Sequence, residues 1–299
     1  MRIKPQCVPC IYGVRAREIV ESGLSEEEKI NALARFTGYY ANLVGLGAST
    51  IVMATLAFRR VKELIGDPDP YKGYKEESYR IARGLAARVE EEAGKLVGFE
   101  RFKFLLKASI AANLLDPGAP LGVEPSRLVE TAESLRLARD ETEEFYLHLL
   151  QSDHVSYLLD NAGETLLDAL VIREIAGMGI RVRVFAKGAP YQNDTTYEEA
   201  VELGLGDIEG VELVSTETDA AGPVRQLIPG HVWEKMVDAD IIVSKGMANF
   251  ESFLDNPPPK PLFAMLVAKC PPVAEAARVK PGDAAAFYAA FKPSMLKVA

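Results

Sequence analysis

Val155-Ser156-Tyr157-Leu158-Leu159-Asp160-Asn161-Ala162-Gly163-Glu164-Thr165-Leu166-Leu167-Asp168-Ala169-Leu170-Val171-Ile172 is the stretch whose reading decides the fold. Its first residues form a short apolar, strand-like run, and its last eight a helix-like run. Asp160 to Glu164 therefore fall at the carboxyl edge of a strand, where open α/β sheets bind ligands. A carboxylate and a carboxamide at that edge offer oxygen ligands to a hard divalent cation.

Working outward, further strand-like runs occur at Arg181–Ala186, Val211–Ser215, Asp240–Ser244 and Leu262–Ala268, with a sixth near Ala284–Ala290. Helical runs lie between most of them. Such alternation predicts a mostly parallel sheet with helices on both faces. Ahead of it the chain reads as helices. Ser25-Glu26-Glu27-Glu28 is a capping box opening a helix with Ile30, Leu33, Phe36 and Tyr40 on one face. Thr50 to Ile65 ends at Gly66, and further helical patterns cover Lys75 to Val97, Arg101 to Leu115 and Ser126 to Leu150. The expected fold class is α/β. A helical N-terminal region over 1–150 precedes a Rossmann-like region over 151–299 that carries the chemistry.

Three strand ends in the second region carry polar clusters. They are Asp160-Asn161-Ala162-Gly163-Glu164, Lys187 to Asp194, and Lys245-Gly246-Met247-Ala248-Asn249-Phe250-Glu251. A fourth strand end gives Lys269-Cys270. In a parallel sheet all of these emerge at one edge. Asp160, Asn161 and Asp194 are the candidate ligands of one divalent cation, leaving positions open for water and a substrate oxygen. Lys245 and Lys187 are candidate phosphate contacts, while Gly246 and Gly188 let backbone approach a ligand. The helix start after Asn161 favours an anion.

Each feature also has a plain structural reading. Asp or Asn at a strand-to-helix junction is an ordinary N-cap, Lys-Gly after a strand is an ordinary turn, and Glu164 suits the first turn of a helix. Asn113 and Asp116 either reach over the sheet edge to a substrate or simply end a helix before Pro117-Gly118. It is the joint occurrence at corresponding strand ends that points to a site.

The Asp-Asn-Ala-Gly-Glu string, Asn193-Asp194-Thr195-Thr196 after a Lys-Gly-x-Pro loop, and Lys245-Gly246 followed by Asn249 and Glu251 together resemble one family. It is the metal-dependent damage-control phosphatases, catalogued as domain of unknown function 89. Cys7-Val8-Pro9-Cys10, Asp69-Pro70-Tyr71, Asn113-Leu114-Leu115-Asp116 and Lys269-Cys270 are similar to its cysteine-bearing prokaryotic branch. The resemblance covers nearly the whole chain. It implies a three-layer α/β/α sandwich and hydrolysis of small phosphorylated metabolites, often sugar phosphates, with manganese, cobalt, nickel or magnesium. It also implies that Asp160, Asn161 and Asp194 bind the metal and that Lys245 contacts phosphate. Asp160, Asp194 and Lys245 are then the catalytic candidates. Those for substrate binding are Lys187, Gly188, Asn193, Gly246, Asn249, Glu251, Asn113, Asp116 and Lys269. Thr195 stands where many members have Val, and Lys187 where Arg is expected.

Cys7, Cys10 and Cys270 read as structural thiols, as a redox pair plus one, or as a second metal cluster. Two other functions remain open: a methyltransferase using S-adenosylmethionine, which lacks its Gly-rich first loop here, and a metabolite or redox sensor without turnover. Composition narrows the rest. The 299 residues are 48% hydrophobic and carry a net charge of −9, without the basic face that nucleic acid requires. No apolar run reaches the ~18 residues of a membrane span. With no secretory core after Met1 and only three cysteines, a cytoplasmic location is expected.

Overall fold

The computed structural model describes residues 1–113 and 127–291. Among these residues seven strands form one sheet: β1 (Leu137–Asp140), β2 (His154–Leu158), β3 (Arg181–Ala186), β4 (Val211–Ser215), β5 (Ile241–Lys245), β6 (Leu262–Val267) and β7 (Ala284–Tyr288). Their spatial order is β1-β7-β6-β5-β2-β3-β4. Neighbours run parallel except β6 and β7, which pair antiparallel. From β2 the chain winds outward through β3 to β4, and from β5 it winds the opposite way through β6. The order thus reverses between β2 and β5, which makes their shared carboxyl edge the switch point at which such sheets open a crevice.

The central strands β2, β5 and β6 are almost wholly buried because both faces are covered, as a parallel sheet requires, and apolar side chains dominate them. On one face Val155, Tyr157, Ile241 and Val243 pack with helices α4 (Lys72–Ala93), α5 (Gly98–Ala112) and α8 (Ala162–Gly177). On the other, Leu158, Ile242 and Ala264 pack with α10 (Gly230–Val237), α11 (Gly246–Asp255) and α12 (Pro271–Ala277). This is the expected three-layer α/β/α arrangement. The first three helices, α1 (Cys7–Glu21), α2 (Glu26–Gly45) and α3 (Thr50–Ile65), share a small core of their own around Phe36, Tyr40 and Met53. A separate patch joins Ile51 and Phe58 of α3 to Tyr191 and Val224.

Local signals set several boundaries. Ser25 and Glu28 form the capping box of α2, each side chain bonding the other's backbone N–H. Helix α3 ends at Gly66, whose φ of 70° is the left-handed geometry that favours glycine. The helix expected over Ser126–Leu150 is not there. Its described part is α6 (Leu128–Ser134), then β1, then α7 (Thr142–Leu149). Strand β1 is an edge strand of only four residues, and its pairing with β7 overrides the helical pattern around it. The Asp140 carboxylate then accepts from the Thr142 N–H and hydroxyl, turning the chain into α7. The sheet therefore takes a strand from ahead of residue 151, and α4 and α5 form part of its covering layer. No helix of the described residues is long and apolar enough to cross a membrane.

Candidate active site at the β2–β5 edge

Two loops are stitched together over the end of β2. The Thr195 N–H donates to the Asp160 carbonyl (3.0 Å), and the Ala162 N–H donates to the Asn193 carbonyl (2.8 Å). Asn161 and Asp194 pair in an isolated antiparallel bridge. The Thr165 and Thr195 hydroxyls meet at 2.5 Å. Two residues 34 apart in sequence, Asp160 and Asp194, are thereby fixed side by side, 8% and 5% exposed.

Asn161 occupies the N-cap position of α8, but its side chain caps nothing. Its amide instead donates to Asp160 Oδ2 (3.0 Å) and to Glu164 Oε1. Asn113, at the end of α5, donates to the same two carboxylates, at 3.5 Å from Asp160 Oδ2. The plain readings of Asn161 as a cap and Asn113 as a helix end are thus accompanied by a second role, because both amides converge on one acidic cluster. Asp116 lies outside the described residues.

Burial pushes the Asp160 carboxyl well above the usual carboxylate range, and the charges of Asp194 and Glu164 push it further, against Lys269 and Lys187. Asp194 is also raised, chiefly by burial and against Lys187. Asp194 Oδ2 has no hydrogen-bond partner; the Lys187 ammonium is 3.3 Å away but directs its hydrogen bonds to the Ala220 and Ala221 carbonyls, each at 2.8 Å. Gly246 completes the approach. Its φ is 73°, and a Cβ there would sit 1.9 Å from Asp160 Oδ2, so only glycine lets β5 pass into α11 at this carboxylate.

Other expected contacts lie elsewhere. Lys245 is 1% exposed and sits beneath the acidic cluster, with Nζ 2.5 Å from Ser109 Oγ, 2.8 Å from Asp168 Oδ1 and 3.1 Å from Glu164 Oε2. Burial alone would favour its neutral form, but Asp168 and Glu164 outweigh that and hold its pKa above normal. Gly188 is needed for the approach of the Glu217 backbone, which a Cβ would meet at 2.5 Å, rather than for a ligand. Asn249 braces the strand ends, donating to the Leu159 and Lys245 carbonyls, both at 2.9 Å. Glu251 sits beside the Met1 amine. Its backbone carbonyl accepts from the Met1 amine at 2.6 Å, and its charge acts on Cys10 and Cys270. The three cysteines are free thiols: Cys7 buried, Cys10 exposed and Cys270 half-buried. Burial pushes the Cys10 and Cys270 thiols up.

The sequence did not single out the network under Lys245. Asp168 accepts from Ser109 (2.5 Å) and from Tyr157 (2.8 Å) as well as from Lys245. The available signal was a lone carboxylate inside an apolar helix, four residues after Glu164 and so on the same face.

A divalent cation fits these residues by their chemistry. Three carboxylates crowd one buried spot, Asp194 Oδ2 has only a 3.3 Å ion pair to Lys187, and the donors are hard oxygens. Among the described residues no three His, Cys, Asp or Glu side chains already form a cage, so the set depends on the Asn161 amide oxygen and on exchangeable ligands.

Comparison with known proteins decides the family. The damage-control phosphatase ARMT1-like domain matches residues 3–285. The chain belongs to this family. It is similar to a damage-control phosphatase of Archaeoglobus fulgidus, 30% identical over 300 residues, covering 95% of this chain and 98% of that one. Damage-control phosphatase PH1575 of Pyrococcus horikoshii is 27% identical over 287 residues, covering 94% and 96%. The crystal structure of a DUF89 family protein from Pyrococcus horikoshii superposes with a TM-score of 0.86 at 25% identity, covering 97% of this chain and all of that one. This family membership agrees with the damage-control resemblance and the sandwich fold read from the strand-end motifs.

Proposed function

We propose that the chain is a metal-dependent phosphomonoester hydrolase acting on small phosphorylated metabolites, sugar phosphates first among them. The observation that carries this reading is the convergence of three buried carboxylates, Asp160, Asp194 and Glu164, which keeps the Asp160 and Asp194 carboxyls raised even with the Lys187 ammonium 3.3 Å from Asp194. Such crowding is costly unless a cation offsets it. Asp160, Asn161 and Asp194 would hold that cation. When bound, an ion of the manganese, cobalt, nickel or magnesium type supplies Lewis-acid polarisation of a phosphoryl oxygen.

The chain's own groups serve the rest of the reaction. Asn161 and Asn113 orient the Asp160 and Glu164 carboxylates. Lys245 neutralises Glu164 and Asp168 from below, so that the acidic cluster does not repel an incoming anion unchecked. The positive charges of Lys269 and Lys187 are both felt at Asp160 and offset part of the negative charge that an incoming phosphate would meet. The N-termini of α8 and α11 open at the same carboxylate and add their dipoles. Ala162 stands two residues after Asp160, where aspartyl-phosphate enzymes carry a second acid, so the proposed hydrolysis uses water directly.

The test is phosphate release from a panel of sugar phosphates and an aryl phosphate, metal-free and with each of the four ions. Release that requires a metal supports the reading. No release with any ion, despite measurable metal binding, contradicts it.

A further inference from the structure

Helix α4 presents a polar stripe to the Asp194 loop. Tyr71, the N-cap of α4, is followed at four-residue intervals by Lys75 and Tyr79, a spacing that places all three on one face. Each touches the segment that carries Asp194. Tyr79 Oη lies within hydrogen-bond distance of Thr195 Oγ1 and Glu199 Oε2, both at 3.2 Å. Lys75, 1% exposed, pairs with Glu199 Oε1 at 2.7 Å and with Asp69 Oδ2 at 2.8 Å. Tyr71 Oη accepts from Gln192 Nε2 at 3.4 Å and donates to Glu18 at 2.7 Å.

The gripped segment is one whose backbone must be held. The Asp194 N–H closes a turn onto the Tyr191 carbonyl at 3.0 Å. At that turn Gln192 has a φ of 44°, left-handed geometry that a non-glycine residue resists. On the far side, Glu199 caps α9 (Tyr197–Glu202) by accepting from the Thr196 N–H at 2.8 Å. The same Glu199 carboxylate receives Lys75 and Tyr79. The stripe therefore holds the loop two residues before Asp194, one residue after it and five residues after it.

We propose that Lys75 and Tyr79 are positioning residues for metal binding: they fix the Asp194 loop from the helical layer so that its carboxylate faces Asp160. This rests on the metal reading given above. Outer groups that orient a ligand are typically worth about 10- to 100-fold in metal affinity.

The experiment measures Mn²⁺ affinity by calorimetry, turnover against Mn²⁺ concentration, and melting temperature. The variants are Tyr79→Phe, Lys75→Met and Lys75→Arg, with Arg80→Ala, on the exposed side of α4, as the control. The expected result is Mn²⁺ binding weakened about tenfold by Tyr79→Phe and more by Lys75→Met. Turnover should recover as Mn²⁺ is raised, Lys75→Arg should be partly restored, and Arg80→Ala unchanged. Tyr79→Phe and Lys75→Met binding Mn²⁺ within twofold of wild type, or losing turnover that added Mn²⁺ does not restore, would overturn the inference. If Lys75→Met does not fold, Tyr79→Phe, which removes one hydroxyl, decides alone. Wild type that binds no divalent cation removes the metal reading and this inference together; wild type that binds, with unchanged variants, removes only this one.

Discussion

Gly246 and Asp160 are in such close approach that a Cβ on Gly246 would lie 1.9 Å from Asp160 Oδ2. The contact joins the ends of β5 and β2 at the point where strand order reverses. Gly246→Ala must move the carboxylate or the start of α11, and must also hold alanine at a φ of 73°. The backbone cost is about 1–3 kcal/mol, and misplacing a ligand by about 1 Å costs about 10²-fold in rate. Metal-dependent kcat/KM should therefore fall about 100-fold while the protein still melts cooperatively. Near wild-type kinetics would mean that Asp160 needs no fixed position.

Lys245 makes a different prediction. It is the counter-charge to two carboxylates, Glu164 and Asp168, that are about as buried as itself. Lys245→Met leaves both without it, and breaking such a pair costs about 3–5 kcal/mol. Urea denaturation should register that loss. The exposed pair Lys95–Glu92 is the comparison, and Lys95→Met should have almost no effect. Equal, small effects at the two positions would show that Lys245 does not stabilise the cluster beneath Asp160.

Asn161 should act on metal affinity rather than on its helix. Its side chain makes no capping bond in α8, so Asn161→Ala leaves that helix end as it was. It does remove the amide that orients Asp160 and Glu164. Mn²⁺ affinity should fall by at least tenfold, measured by calorimetry, with α8 intact by amide hydrogen exchange. Fraying of α8 with unchanged affinity would return Asn161 to the role of a simple cap.

Glu251 carries a pH prediction. Burial pushes its carboxyl up to about 7, against the Met1 amine and with help from Asp255. The folded state therefore binds more protons than the unfolded state between the ordinary carboxylate range and pH 7. Stability from this group is present at the acid end of that window and falls as pH rises through it. Glu251→Gln mimics the protonated form and should remove the slope. The variant should match wild type near pH 5 and exceed it above pH 7 by on the order of 3 kcal/mol. Parallel stability curves for the two proteins would contradict the assignment.

The central strands were legible because β6 is a continuous apolar run, β5 opens on one, and β3 alternates Arg and Val, patterns of strand rather than of amphipathic helix. β1 was not, since Leu137–Asp140 is short, half polar, and embedded in helix-forming sequence; only its pairing with β7 makes it a strand. In the site, Asp160 and Asp194 were legible from position alone, because parallel strands send their following loops to one edge. Side-chain depth was not. The sequence places Lys245 at a strand end but does not say that Ser109 of α5 and Asp168 of α8 will draw its ammonium below that edge. The same limit applies to Lys187 and Asn249, whose partners are loop and strand carbonyls with no side-chain signature.

Mn²⁺ binding measured together with phosphate release, on the best substrate of the panel, for wild type, Asp160→Asn and Asp194→Asn tests the metal assignment most directly. Wild type should bind Mn²⁺ tightly and release phosphate only with the metal, and each variant should lose both with the fold retained. Full Mn²⁺ binding and turnover in either variant would place the metal and the chemistry elsewhere in the molecule and contradict the assignment of this site.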